Sequence, residues 1–78
     1  MDALEVEARF SAEGKITVLS FAWRGQRVPV VGQGRQWQAE DSQHFWVMTL
    51  DERLFELAFM PERGLWRMVQ TPASERLA

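Results

Sequence analysis

Turn signals recur along this chain about every ten residues, at Ser11–Gly14, Arg24-Gly25, Gly32–Gly34, Glu40–Ser42, Asp51-Glu52 and Pro61–Gly64. The runs between them leave no room for crossover helices, so antiparallel hairpins are the architecture that remains. Leu4 to Phe10 alternates apolar even positions with charged odd ones, the period of a half-buried strand. Lys15 to Trp23 is rich in β-branched and aromatic residues and apolar on both faces, which predicts a central strand. Gln26 to Val31 carries Pro29, which cannot donate to a ladder and predicts an edge or a bulge. Arg35 to Ala39, Gln43 to Leu50, Arg53 to Met60 and Leu65 to Gln70 complete the series. Leu54, Leu57 and Ala58 also fall at helical spacing, but the segment is short for a helix between two turns. The expected fold is therefore all-β: a small antiparallel meander of six to seven strands, closing into an SH3-like barrel or a strongly bent sheet. Residues 1–70 form a single β domain in this reading, and 71–78 a polar C-terminal tail.

A chain of 78 residues without cysteine must be stabilised by its core, with no disulfide or thiolate zinc to help. Four Trp, five Phe and four Met supply the bulk for that core. The N-terminus lacks the basic region and apolar run of a signal peptide, and no stretch approaches the roughly 20 apolar residues of a membrane span. The expected setting is cytoplasmic, without membrane contact. Charge is unevenly spread. Residues 1–13 sum to −3, residues 14–39 to +4 with no Asp or Glu, and residues 40–78 to −3.

The basic middle interleaves arginine with tryptophan: Trp23, Arg24, Arg27, Arg35 and Trp37. Arginine neutralises phosphate and tryptophan stacks on bases, so this block is the candidate nucleic-acid site. The plainer alternative keeps both tryptophans in the core and the arginines solvated or paired. A pI near 5.3 argues against strong unspecific DNA affinity. The second signal is surplus hydrophobicity. Strands apolar on both faces leave Leu19, Phe21, Phe45, Val47, Phe55 and Phe59 as candidates for a protein-partner or homo-oligomer interface, unless a terminal segment folds over them.

Catalytic signals are weak. His44 is the lone histidine, and Asp41, Ser42 and His44 lie within one hairpin, a spacing that predicts no relay among the three. No spacing indicates a metal site, Gly32-Gln33-Gly34 lacks the context of a phosphate loop, and no cofactor is expected. The reading is a binding module, not an enzyme.

The segment FAWRGQRVPVVGQGRQW resembles a short bacterial domain family of unknown function, through Phe21, Trp23-Arg24-Gly25, Arg27, Val28, Val30, Gly34-Arg35 and Trp37. Similar segments occur in small stand-alone proteins and near the ends of Y-family polymerase-like mutagenesis proteins. The resemblance implies an association with DNA repair.

Overall fold

A computed structural model describes residues 3–71. Its strands are β1 (Val6–Phe10), β2 (Ile16–Trp23), β3 (Gln26–Ala39), β4 (Ser42–Thr49), β5 (Leu54–Met60) and β6 (Leu65–Gln70). Each pairs antiparallel with its sequence neighbour, in the order β1-β2-β3-β4-β5-β6. The sheet curls into a half-barrel. A single isolated bridge ties its ends, with the Leu4 N–H donating to the Trp66 carbonyl at 2.8 Å. No helix among the described residues is long and apolar enough to cross a membrane. The polar tail expected at 71–78 lies, from residue 72 onward, outside the described residues.

The strand count is six because Gly32-Gln33-Gly34 does not turn the chain. A two-residue reversal needs positive φ, and neither of these glycines adopts it. β3 runs straight through as one strand of 14 residues, with register shifts against β4 between Val30 and Gly32 and between Gln33 and Gln36. These bulges bend the strand without ending it. As a result β3 serves two ladders, Gln26–Pro29 with β2 and Val30–Ala39 with β4. Beyond the β2 ladder the Gln33 carboxamide fills the gap. It accepts from Val18 N–H and donates to the Ile16 carbonyl, both at 2.9 Å.

Arg24-Gly25 forms the hairpin turn expected of it, with φ of 51° and 79°, the double positive of a type I′ turn. The residues flanking such a turn exchange backbone hydrogen bonds, so alternation aims the backbone groups of Arg27 and Pro29 away from β2. The β4 ladder begins only at the Val30–Thr49 pair. Pro29 therefore turns its missing N–H toward an open length of edge, where a strand tolerates proline.

The core consists of Ile16, Val18, Phe21, Phe45, Val47, Phe55, Leu57 and Trp66. Ile16 and Val18 differ in parity from Phe21, yet all three point inward. The reason is a bulge: Glu7 pairs with Ser20 and Ala8 with Val18, which leaves Leu19 as the extra residue and flips the alternation after it. Phe55 anchors one end, with Phe21 at 5.0 Å and Trp23 at 5.5 Å between ring centroids. Trp66 anchors the other, against Phe45 at 5.7 Å and Phe59 at 4.8 Å. Each such side chain fully buried contributes roughly 1.5–3 kcal/mol.

This packing corrects the expected interface. Phe21, Phe45 and Val47 are 0% exposed and Phe55 is 2% exposed, so these four are core and cannot dock a partner. Phe59 is half-buried against Trp66 and Phe10, and Leu19 is half-buried at the bulge. The supposed second apolar face of β2 is the same face, reached through the bulge.

Candidate interaction face

With Phe45 and Val47 turned inward, alternation in β4 sends Ser42, His44, Trp46 and Met48 to the opposite, outer surface. Register then lays partners beside them in rows. Trp37, His44, Ala58 and Arg67 form one row across β3 to β6, and Trp46, Glu56 and Gln70 form the next. Met48 pairs with Leu54, and Met60 with Leu65. Met48, Leu54, Leu65 and Val69 are exposed apolar side chains, between 37% and 49% accessible. Beneath them this outer surface has an interior of its own. Ala58 is fully buried, Ser42 is 6% exposed and Glu56 7%.

A buried carboxylate needs donors. His44 provides one, its Nδ1–H donating to Glu56 Oε2 at 2.8 Å, while its Nε2 shares a hydrogen bond with Ser42 Oγ at 3.0 Å. The Trp37 indole stacks on the imidazole at 5.3 Å and 21°, and the Arg35 guanidinium lies 5.8 Å from the Trp37 ring centre. Arginine, indole and imidazole make a layered stack upon the Ser42–His44–Glu56 chain.

Two expectations change here. Ser42 and His44 do enter a serine–histidine–carboxylate chain, but the acid is Glu56 on β5, not Asp41. Such a chain can activate a hydroxyl if a substrate reaches it. Here the hydroxyl belongs to a residue only 6% exposed, and the indole of Trp37 lies against the imidazole. The basic–aromatic block also divides. Trp23 turns inward onto Phe55 with Arg24 4.8 Å over its ring, while Arg35 and Trp37 lie on the outer surface. The β3 backbone from Gln26 to Arg35, roughly 30 Å at about 3.3 Å per residue, separates the two groups. Arg27 belongs to neither. Its guanidinium sits 3.5 Å from Glu5 and 3.4 Å from the Ser20 hydroxyl.

The residues of this surface that sequence reasoning missed as a site are Ser42, Trp46, Met48, Leu54, Glu56 and Leu65. The signal for them was the alternation of Trp46 and Met48 against Phe45 and Val47, which marks two faces without saying which is inner. Among the described residues, no group of three or more His, Asp or Glu side chains is placed to hold a metal ion. Comparisons with protein-family models, curated proteins and solved structures found no match for this chain.

Proposed function

We propose that this protein is a binding module, without catalytic activity of its own, that docks a protein partner on the outer surface of β3–β6. One observation carries the reading. The side of the sheet turned away from the core displays Met48, Leu54 and Leu65 around two tryptophans, above a buried histidine–glutamate pair. Apolar side chains at both ends of that face, Met48 with Leu54 and Met60 with Leu65, with the tryptophans between them, are what a docking partner would cover.

Charge indicates the partner. The turns at the ends of these strands carry Glu40, Asp41, Asp51, Glu52 and Glu62, all exposed, against Arg53 and Arg63, while Arg35 and Arg67 lie within the face itself. A protein with an apolar centre and a basic rim complements this arrangement. A second copy would bring acidic turns against acidic turns, which disfavours self-association. The layered Arg35, Trp37 and His44 support a second reading, single-stranded nucleic acid, in line with the resemblance to DNA-repair-associated segments. That reading ranks below the first because His44 and Arg35 already lie against the Trp37 ring.

The test places a photo-crosslinking residue at Met48, at Leu54 and, as a control, at Glu13 in the protein expressed in its own host. Adducts with one other protein from positions 48 and 54 are expected, and none from 13. That protein, once purified, should lose affinity on Leu54→Glu and on reversal of its own basic residues. Adducts only between copies would replace this proposal with a dimer. Salt-sensitive tryptophan quenching by a single-stranded oligonucleotide, lost in Arg35→Glu, would replace it with nucleic-acid binding.

A further inference from the structure

β1 is hydrogen-bonded along one side only. The Glu5 carbonyl accepts from Ala22 N–H, and Ser11 N–H donates to the Lys15 carbonyl, both at 2.9 Å. Odd-numbered residues therefore turn their backbone groups toward β2. Leu4 N–H points the other way, to the Trp66 carbonyl at 2.8 Å. Alternation then leaves the N–H and C=O groups of Val6, Ala8 and Phe10 facing an open edge. Among the described residues no strand pairs there beyond the isolated Leu4–Trp66 bridge. Such an edge is a template for another strand.

The side chains along this edge fit a second copy of themselves. Antiparallel pairing about Ala8 sets Val6 against Phe10 and Glu7 against Arg9 on both sides of the axis. Glu7 and Arg9 then occupy the positions without backbone bonds, where cross-strand side chains lie closest. Both are exposed. Glu7 accepts from Ser20 Oγ at 3.1 Å through one oxygen, and among the described residues no carboxylate pairs with Arg9. Sliding the pairing by two residues sets Glu7 against Glu7 in one direction and Arg9 against Arg9 in the other. Like charges directly opposite repel, so the charges select one register. In that register Val6 covers Phe10, which packs on Phe59 at 5.5 Å yet stays 54% exposed. The acidic turns oppose a second copy laid on the outer surface of β3–β6, whereas along β1 charge favours one.

We infer that the chain forms a two-fold dimer in which β1 pairs antiparallel with β1 of a second copy, centred on Ala8. The Val6–Phe10 and Ala8–Ala8 pairs exchange N–H···O bonds in both directions. The contact is a single strand of 5 residues from each copy, so the dimer is weak and dissociates on dilution. It involves no strand of the outer surface and does not rest on the docking proposed there.

The test is sedimentation velocity of the full chain across a concentration series, in which monomer should give way to dimer. Glu7→Arg and Arg9→Glu each set like charges across the axis. Each should weaken self-association at least about tenfold, the factor that roughly 1.4 kcal/mol represents. An equimolar mixture of the two variants should regain the parent's affinity, because every facing pair then carries opposite charges. Amide exchange gives a second reading on the unaltered protein. Protection at Val6, Ala8 and Phe10 should rise with concentration, while that of β6 should not change. A monomer at every concentration, single variants that associate as tightly as the parent, a mixture of folded variants that fails to recover, or β1 exchange independent of concentration would each overturn the inference.

Discussion

Removing His44 leaves the Glu56 carboxylate, 7% exposed, without its donor at 2.8 Å. A buried charge deprived of its partner is among the costliest single changes. His44→Ala should therefore lower unfolding free energy by about 2–3 kcal/mol, as read by urea titration. Replacing both members with leucine should recover most of that loss, because the pair has to overcome its own desolvation. A double variant no more stable than His44→Ala would show that the pair is not the source of the cost. Arg24→Asn should act in the other direction and raise stability by about 0.5–1 kcal/mol. Asp51 gives the molecule an acid-side dependence. The Thr49 hydroxyl, and after it the Arg53 guanidinium, hold its carboxyl below the usual range. A carboxylate with a depressed folded pKa stabilises fully above its unfolded value, roughly 3.9, and loses that contribution as pH falls through the folded value. Melting temperatures taken from about pH 5 down to about pH 2 should fall less in Asp51→Asn than in the parent.

At the scale of elements, the bulge at Leu19 decides how β2 meets β1, and the Gln33 bridge how it meets β3. Deleting Leu19 would leave a regular β1–β2 ladder in which Ile16, Val18, Phe21 and Trp23 all still point inward. The shortened chain should therefore fold cooperatively and keep its near-ultraviolet circular dichroism; loss of that signal would show that the bulge itself is required. Gln33→Leu removes the groups bonded to Val18 N–H and the Ile16 carbonyl. It should cost about 2 kcal/mol, since leucine satisfies neither. Strands and hairpins were legible in the sequence because turn chemistry is local: Arg24-Gly25 and Pro61–Gly64 announce themselves. What faces inward was not, because the parity of β2 depends on how Glu7 and Ala8 pair with Ser20 and Val18. The His44–Glu56 contact was hidden for the same reason. It arises from β4–β5 register, which puts Trp46 opposite Glu56 and His44 one row away. Gly32-Gln33-Gly34 misled because glycine composition marks a turn only where the backbone takes positive φ.

For the molecule as a whole, closure is weakest where the sheet ends meet. β4 and β5 are paired on both sides along most of their length, whereas among the described residues the ends of the sheet meet through the isolated Leu4–Trp66 bridge and side-chain packing such as Phe10 on Phe59. Opening at that seam should precede global unfolding, so amides of β1 and β6 should exchange with solvent faster than those of β4 and β5. Uniform protection across all six strands would refute that order. The extra residue in β2 has a further consequence, for descent. Leu19 is one residue more than regular pairing with β1 needs, and the bulge absorbs it locally, so that side chains before and after it keep their faces. Its loss leaves a regular ladder with the same side chains inward, so a residue can enter or leave there without changing the core. Lineages that share this half-barrel should therefore differ by one residue at that point while keeping the core, and an alignment that allows a gap there should find kinship that a gapless one passes over.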